Sequence, residues 1–148
     1  MSVRHLRPVD FNEWAQMRRV LWPHATLGEC RKDWKTMQRK PSRFAILLGR
    51  RDNGPWQGFL EASIRRDYTN GCTTSPVGYI EGWYVTPHAR RKGIGRELVR
   101  AAERWARGKG CKEMGSDAKL ANRLSRKAHG ALGYTECNTL VHFHKRLC

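Results

Sequence analysis

Glu81 is the residue whose setting most needs a chemical explanation, being the single acid in the apolar and aromatic run Val77-Gly78-Tyr79-Ile80-Glu81-Gly82-Trp83-Tyr84-Val85. An unpaired carboxylate inside a buried strand is costly, so a role in chemistry is its stronger explanation. Soon after it come three cations and two glycines, Arg90-Arg91-Lys92-Gly93-Ile94-Gly95, at the start of a helical pattern. Helix N-terminal N–H groups, the helix dipole and glycines that admit close approach together make an anion cradle. The pairing predicts a phosphate-bearing ligand beside a carboxylate that can take a proton or hold a cation.

The elements around this stretch are readable from pattern. Val3 to Arg7 alternates as a short strand, and Asp10 caps a helix with Phe11, Trp14, Met17, Val20 and Leu21 on its inner face. Trp22-Pro23-His24 ends that helix, because proline cannot continue it. Gly28 to Arg39 reads as a second helix closed by Pro41. Arg43 to Gly49 and Gln57 to Arg65 form a hairpin about Asp52-Asn53-Gly54, and Asp67 to Pro76 is a long polar loop before the central strand. After the glycine turn, Ile94, Leu98, Ala101, Ala102 and Trp105 mark a helix that Gly108 and Gly110 end. Cys111 to Gly115 is a further short strand, Ala118 to Leu132 a helix with Leu120, Leu124, Ala128, Ala131 and Leu132 inward, and Tyr134 to Leu147 one or two closing strands.

The chain has 148 residues, which predicts one domain spanning 1–148. No apolar run approaches the ~20 residues needed to span a bilayer, and charges near Met1 stand where a signal peptide needs apolar residues, so a cytoplasmic protein without membrane contact is expected. Five scattered cysteines with no Cys-x-x-Cys pair suggest neither a metal site nor a disulfide framework. His142 and His144 flank Phe143 and read as structural. The net charge of +16, from 29 basic and 13 acidic residues, points to an anionic partner. The cations are spread along the chain and no nucleic-acid-binding motif is present, which leaves nucleic acid as a partner only through non-specific charge.

Arg90-x-x-Gly93-x-Gly95 after a strand ending Val85-x-Pro87, with Asn122 early in the next helix and Ala131-Leu132-Gly133-Tyr134 at its close, resembles the GCN5-related N-acetyltransferase superfamily. A narrower resemblance is to the small dimeric aminoglycoside 6′-N-acetyltransferases. It rests on Leu21-Trp22-Pro23, Ala62-Ser63-Ile64-Arg65, Asp67-Tyr68-x-Asn70-Gly71-Cys72, Glu81-Gly82, Lys109-Gly110-Cys111, Ser116-Asp117 and His129-x-Ala131-Leu132-Gly133. This resemblance implies a single-domain α/β (α+β) fold, order β-α-α-β-β-β-α-β-α-β with an optional last strand, in which a mixed sheet of about six or seven strands is flanked by about four helices. It implies acetyl-CoA as co-substrate, no metal, and a homodimer that confers aminoglycoside resistance.

Residue by residue, it implies that Arg90, Arg91, Lys92, Gly93, Ile94, Gly95 and Arg96 hold the pyrophosphate. Backbone groups of Trp83, Tyr84 and Val85 would pair with the pantetheine arm, with Asn122 beside it, and an N–H near Val85 would polarise the thioester. Glu81 is the implied base, acting directly or through water, and His129 stands where relatives carry a tyrosine acid. Trp22, Tyr68, Glu81, Asp117 and Glu136 are the implied acceptor contacts. Two other readings stand beside this one: the same chemistry on a polyamine or a protein amino group, and a basic nucleic-acid-binding protein that keeps the fold without catalysis. Trp22 can also be a core residue and Asp117 a helix cap.

Overall fold

The computed structural model describes residues 1–148, in two compact units, Met1–Asp117 and Ala118–Cys148. In the first, β1 (Ser2–His5) precedes α1 (Phe11–Leu21) and α2 (Leu27–Gln38). Then come β2 (Phe44–Arg50), β3 (Gly58–Arg65), β4 (Val77–Val85), α3 (Ile94–Gly108) and β5 (Met114–Ser116). The strands form one sheet in the order β1-β2-β3-β4-β5, antiparallel except for β4 and β5.

Strand alternation decides what each face of the sheet meets. Phe59 joins Ile46, Leu48 and Tyr84 under Phe11, Trp14, Ala15 and Met17 of α1 and Cys30 of α2. On the opposite face α3 buries Ile94, Leu98, Val99, Ala102 and Ala106. Two glycines let α3 lie close: a Cβ at Gly49 would stand 3.1 Å from Ile94 Cγ2, and one at Gly58 would stand 3.3 Å from Leu98 Cδ1. The entry to α1 is pinned by Asp10, which accepts from both terminal nitrogens of Arg4 at 2.7 and 3.0 Å, from the Arg7 N–H at 2.9 Å and from the Trp56 indole at 3.0 Å. Burial alone would raise this carboxyl, but those donors hold it at about 2.

One expectation for this unit needs correction. Val20 is 59% exposed, because on a wheel of about 100° per residue it falls outside the arc that Phe11, Trp14, Ala15 and Met17 bury. The centre of that arc holds Arg18 instead, which is buried with its charge.

The second unit contains α4 (Arg123–Ala131), which starts later than expected because Asn122 caps it, accepting from the Ser125 N–H at 3.1 Å. Leu120 and Leu124, expected inward, are 62% and 57% exposed. Gly133 takes φ +89° just past the helix end. Residues 134–148 carry no regular secondary structure, so the sheet has five strands and not six or seven. An alternating pattern supplies faces but not the partner backbone that a strand needs. No helix is long and apolar enough to cross a membrane.

Candidate active site

β4 leads into the glycine turn through a short 3-10 segment, Pro87–Ala89. Arg90 is extended, Arg91 has φ +60° and Gly93 φ +89°, so the chain alternates into left-handed geometry twice before α3 begins at Ile94. Such alternation turns successive N–H groups towards one point, and the first turn of α3 adds donors that no intrahelical carbonyl can use. The left-handed conformation is uncommon for a residue with a side chain, which sets Arg91 apart from ordinary turn residues. The Arg90 Nε donates to the Val85 carbonyl at 2.8 Å, tying the turn to the strand end. A Cβ at Gly95 would lie 3.2 Å from the Trp83 ring, so only glycine lets the helix start rest on that indole.

β5 pairs with Gly78, Tyr79 and Ile80 alone, and β4 continues past it to Val85. The main chain of Trp83, Tyr84 and Val85 therefore presents an edge that β5 does not use, suited to an extended amide-bearing arm. The edge and the cationic turn at its end suit an elongated ligand that carries negative charge at that end.

Beside this edge is a row of polar groups. Glu61 pairs with Gly82 and Ala62 with Ile80, so Glu81 is the extra residue of a β-bulge. A bulge bends the strand and re-aims a side chain, and here it brings Glu81 onto the α1 side of the sheet. Ser63 Oγ donates to Glu81 Oε1 at 2.6 Å. Arg65 donates from Nε to Oε1 at 3.2 Å and from Nη2 to Oε1 and Oε2 at 2.9 and 3.0 Å. The same guanidinium lies 3.5 Å from the centroid of the Tyr79 ring, and the Tyr79 hydroxyl donates to Asp117 Oδ2 at 2.7 Å. Burial, and then the bond to Asp117, raise the Tyr79 hydroxyl above its ordinary range and keep it a donor. Glu81 is thus neither buried nor unpaired as expected: its side chain is 36% exposed and held by an ion pair.

Trp22 ends α1 and closes one side of the row. A Cβ on Gly82 would collide with its Cη2 and come within 2.8 Å of its Cζ2. Its indole also meets Phe59 edge-on at 6.4 Å and the Arg18 guanidinium at 4.9 Å. On the other side is the loop of Tyr68, a residue that is 80% exposed. Thr69 next to it packs against Gly115 together with the Tyr79 ring, and Glu113 Oε1 accepts from the N–H groups of Thr73 and Thr74 at 2.9 and 2.7 Å. The structure therefore gathers Trp22, Glu81 and Asp117 about one row and anchors the Tyr68 loop beside it.

Three expected site residues lie in the second unit. Asn122 spends its side-chain oxygen on the α4 cap, so its amide nitrogen is the atom left to meet a ligand. Glu136 makes a two-point ion pair with Arg126 at 2.6 and 3.0 Å. His129 Nδ1 lies 2.7 Å from the Ser125 carbonyl, an acceptor only, which places the ring proton on Nδ1. Its Nε2 can then donate only when the ring is charged. No group of three or more His, Cys, Asp and Glu side chains converges to hold a metal.

Behind the row lies a second ion pair. Arg18 Nε and Nη2 donate to Glu61 at 2.8 and 3.2 Å, and its Nη1 donates to Asp33 at 2.8 Å. Burial works against the Arg18 charge, but bonds to Glu61 and then Asp33 lift the guanidinium above its ordinary value. Sequence reasoning missed Ser63, Arg65, Tyr79 and this pair. A signal was present: Glu61, Ser63 and Arg65 recur at every second position of an otherwise apolar strand, which marks a polar stripe on one face.

Residues 9–134 match the family described as Acetyltransferase (GNAT) family. The chain is 42% identical over 147 residues to aminoglycoside N(6′)-acetyltransferase type 1 of Klebsiella aerogenes, covering 98% of this chain and 96% of that one. Among solved structures it resembles AAC(6′)-Iy in complex with the bisubstrate analogue CoA-S-monomethyl-acetylneamine, with a TM-score of 0.91, 34% identity and coverage of 99% and 98%. The same enzyme in complex with CoA matches with a TM-score of 0.92, 34% identity and coverage of 99% and 95%. The glycine turn, the open edge of β4 and these full-length similarities lead to one conclusion: the chain belongs to the GNAT acetyltransferase family.

Proposed function

We propose that the protein transfers the acetyl group of acetyl-CoA to the 6′-amine of an aminoglycoside and so confers resistance to it. The observation that carries this reading is the row Asp117, Tyr79, Arg65, Glu81 beside the free edge of β4. It sets two carboxylates and the Tyr79 ring, with the Trp22 indole at its side, where a polycationic sugar would meet a thioester. Full-length similarity to aminoglycoside N(6′)-acetyltransferases supports the choice of acceptor.

Arg90 to Arg96 would hold the pyrophosphate, and the main chain of Trp83 to Val85 the pantetheine arm, with the Asn122 amide as a further donor. Acetyl-CoA supplies an activated acyl carbon. The acceptor ammonium must first lose a proton, which Glu81 takes directly or through a water. The amine nitrogen then bonds to the carbonyl carbon while the Val85 N–H meets the charge that develops on its oxygen. The carbon–sulfur bond breaks as the nitrogen gives up its second proton to water, and the departing sulfur takes a proton. In this reading His129 supplies that proton from Nε2. Trp22, Tyr68, Asp117 and Glu136 would bind the rest of the acceptor.

The whole chain acts as one domain in this reading, in the cytoplasm where its acyl donor is made. A second copy is the proposed partner, because Leu140, Val141, Phe143 and Leu147 are 59, 76, 93 and 86% exposed in a single chain.

The test is CoA-thiol release across aminoglycosides that carry either an amine or a hydroxyl at the 6′ position. Turnover confined to the 6′-amines is expected. Equal turnover of a 6′-hydroxyl analogue would remove the assigned position, and no turnover with any aminoglycoside while acetyl-CoA still binds would remove the acceptor class.

A further inference from the structure

Arg65 has no part in the chemistry above, yet it holds the central group of the row. Three of the bonds that Glu81 accepts come from its guanidinium, at 3.2, 2.9 and 3.0 Å. Its other side rests on the Tyr79 ring at 3.5 Å, and that ring is fixed at its far end by Asp117. A cation set between a carboxylate and an aromatic face is the arrangement that an acceptor's ammonium group would itself require.

The pair is built to exchange. Its side chains are 42% and 36% exposed, against 10% and 4% for Arg18 and Glu61 nearby. Solvent-exposed ion pairs contribute little, whereas buried ones are held by the cost of leaving a charge alone. Arg65 is also the last residue of β3, so a change of rotamer can carry its head into solvent without moving the sheet.

We propose that Arg65 is a placeholder for the acceptor: in the free protein its guanidinium occupies the place at Glu81 that an ammonium group of the substrate takes on binding. This rests on the reading of Glu81 as an acceptor contact. Binding then replaces one cation with another, so the count of ion pairs at Glu81 does not rise. An acceptor must gain its affinity from other contacts, at Asp117 and Trp22, and one with a single ammonium gains little. Arg65 thereby acts as a specificity-determining residue that sets a minimum charge and size for the acceptor.

The test compares wild type with Arg65→Ala and Arg65→Lys, using calorimetric titration with neamine and thiol-release kinetics at saturating acetyl-CoA. Loss of the placeholder should lower Kd and KM for neamine about 3- to 10-fold, with kcat within about twofold, since an exposed ion pair and a stacked cation are each worth about 1 kcal/mol or less. Arg65→Lys, which keeps the charge but loses the planar two-point contact, should fall between. An unchanged or raised Kd for Arg65→Ala, or a fall in kcat at constant KM, would overturn the proposal and make Arg65 an orienting partner of Glu81. Neamine binding without thiol release in wild type would overturn the acetyl-transfer reading, while the comparison of Kd values still decides the role of Arg65. No neamine binding to any of the three proteins would overturn both.

Discussion

Glu61 and Glu81 are carboxylates on adjacent strands of one sheet, each in an apolar stretch and each met by an arginine at two points. What separates them is water. The Glu61 side chain is 4% exposed and sealed under α1 by Arg18, while Glu81 stands at a bulge with its side chain 36% exposed. Identical pair chemistry therefore has two consequences. The buried pair pins α1 and α2 to β3, because neither charge can be left alone. The open pair can be traded for a substrate cation at small cost.

Several substitutions would break or sharpen this contrast. Arg18→Ala has the largest expected effect, since it strands Glu61 in the core: a loss of about 3–5 kcal/mol in urea unfolding. Combining Arg18→Met with Glu61→Leu should recover most of that loss, because an apolar pair leaves no charge unsatisfied. Asp10 supplies an intermediate case, a buried acid fed by Arg4, the Arg7 N–H and Trp56. Its carboxyl is depressed from 3.8 to about 2. Its contribution is therefore present above about pH 4 and lost as pH falls through about 2, amounting to about 2 kcal/mol. Asp10→Asn should flatten that part of a stability-versus-pH curve.

Gly82→Ala acts on the open side, driving a methyl group into Trp22. KM for the aminoglycoside should rise about tenfold, which is about 1.4 kcal/mol, with KM for acetyl-CoA unchanged. The smallest effect on stability is expected for Arg65→Ala, within about 1 kcal/mol by the same unfolding assay, although it removes as many hydrogen bonds to a carboxylate as Arg18→Ala would threaten.

The glycine turn was legible because what it offers is a backbone property: glycines and cations at a helix start specify donors whatever packs around them. Glu81 was also legible as an anomaly, but not its surroundings. A bulge has no sequence mark of its own, so neither its exposure nor its pairing with Arg65 could be read from the strand. Arg18 was hidden for the opposite reason, since an arginine at the centre of an apolar stripe reads as an interruption until a buried acid from another strand is seen to face it. Val20, Leu120 and Leu124 were placed inward by periodicity alone, which identifies a helix more surely than the edges of its buried arc. The expected closing strands failed because alternation describes a strand's faces and says nothing of which edge will pair with it.

The central claim is that one of these carboxylates serves the fold and the other the reaction. Glu61→Gln and Glu81→Gln, each carried through urea unfolding and through kcat/KM for a 6′-amino aminoglycoside, test it most directly. The account predicts a crossed result. Glu81→Gln should lose about 10²- to 10⁴-fold in kcat/KM with its unfolding midpoint nearly unchanged, and Glu61→Gln should lower the midpoint sharply while its folded fraction keeps its turnover. Wild-type turnover in Glu81→Gln would contradict the account.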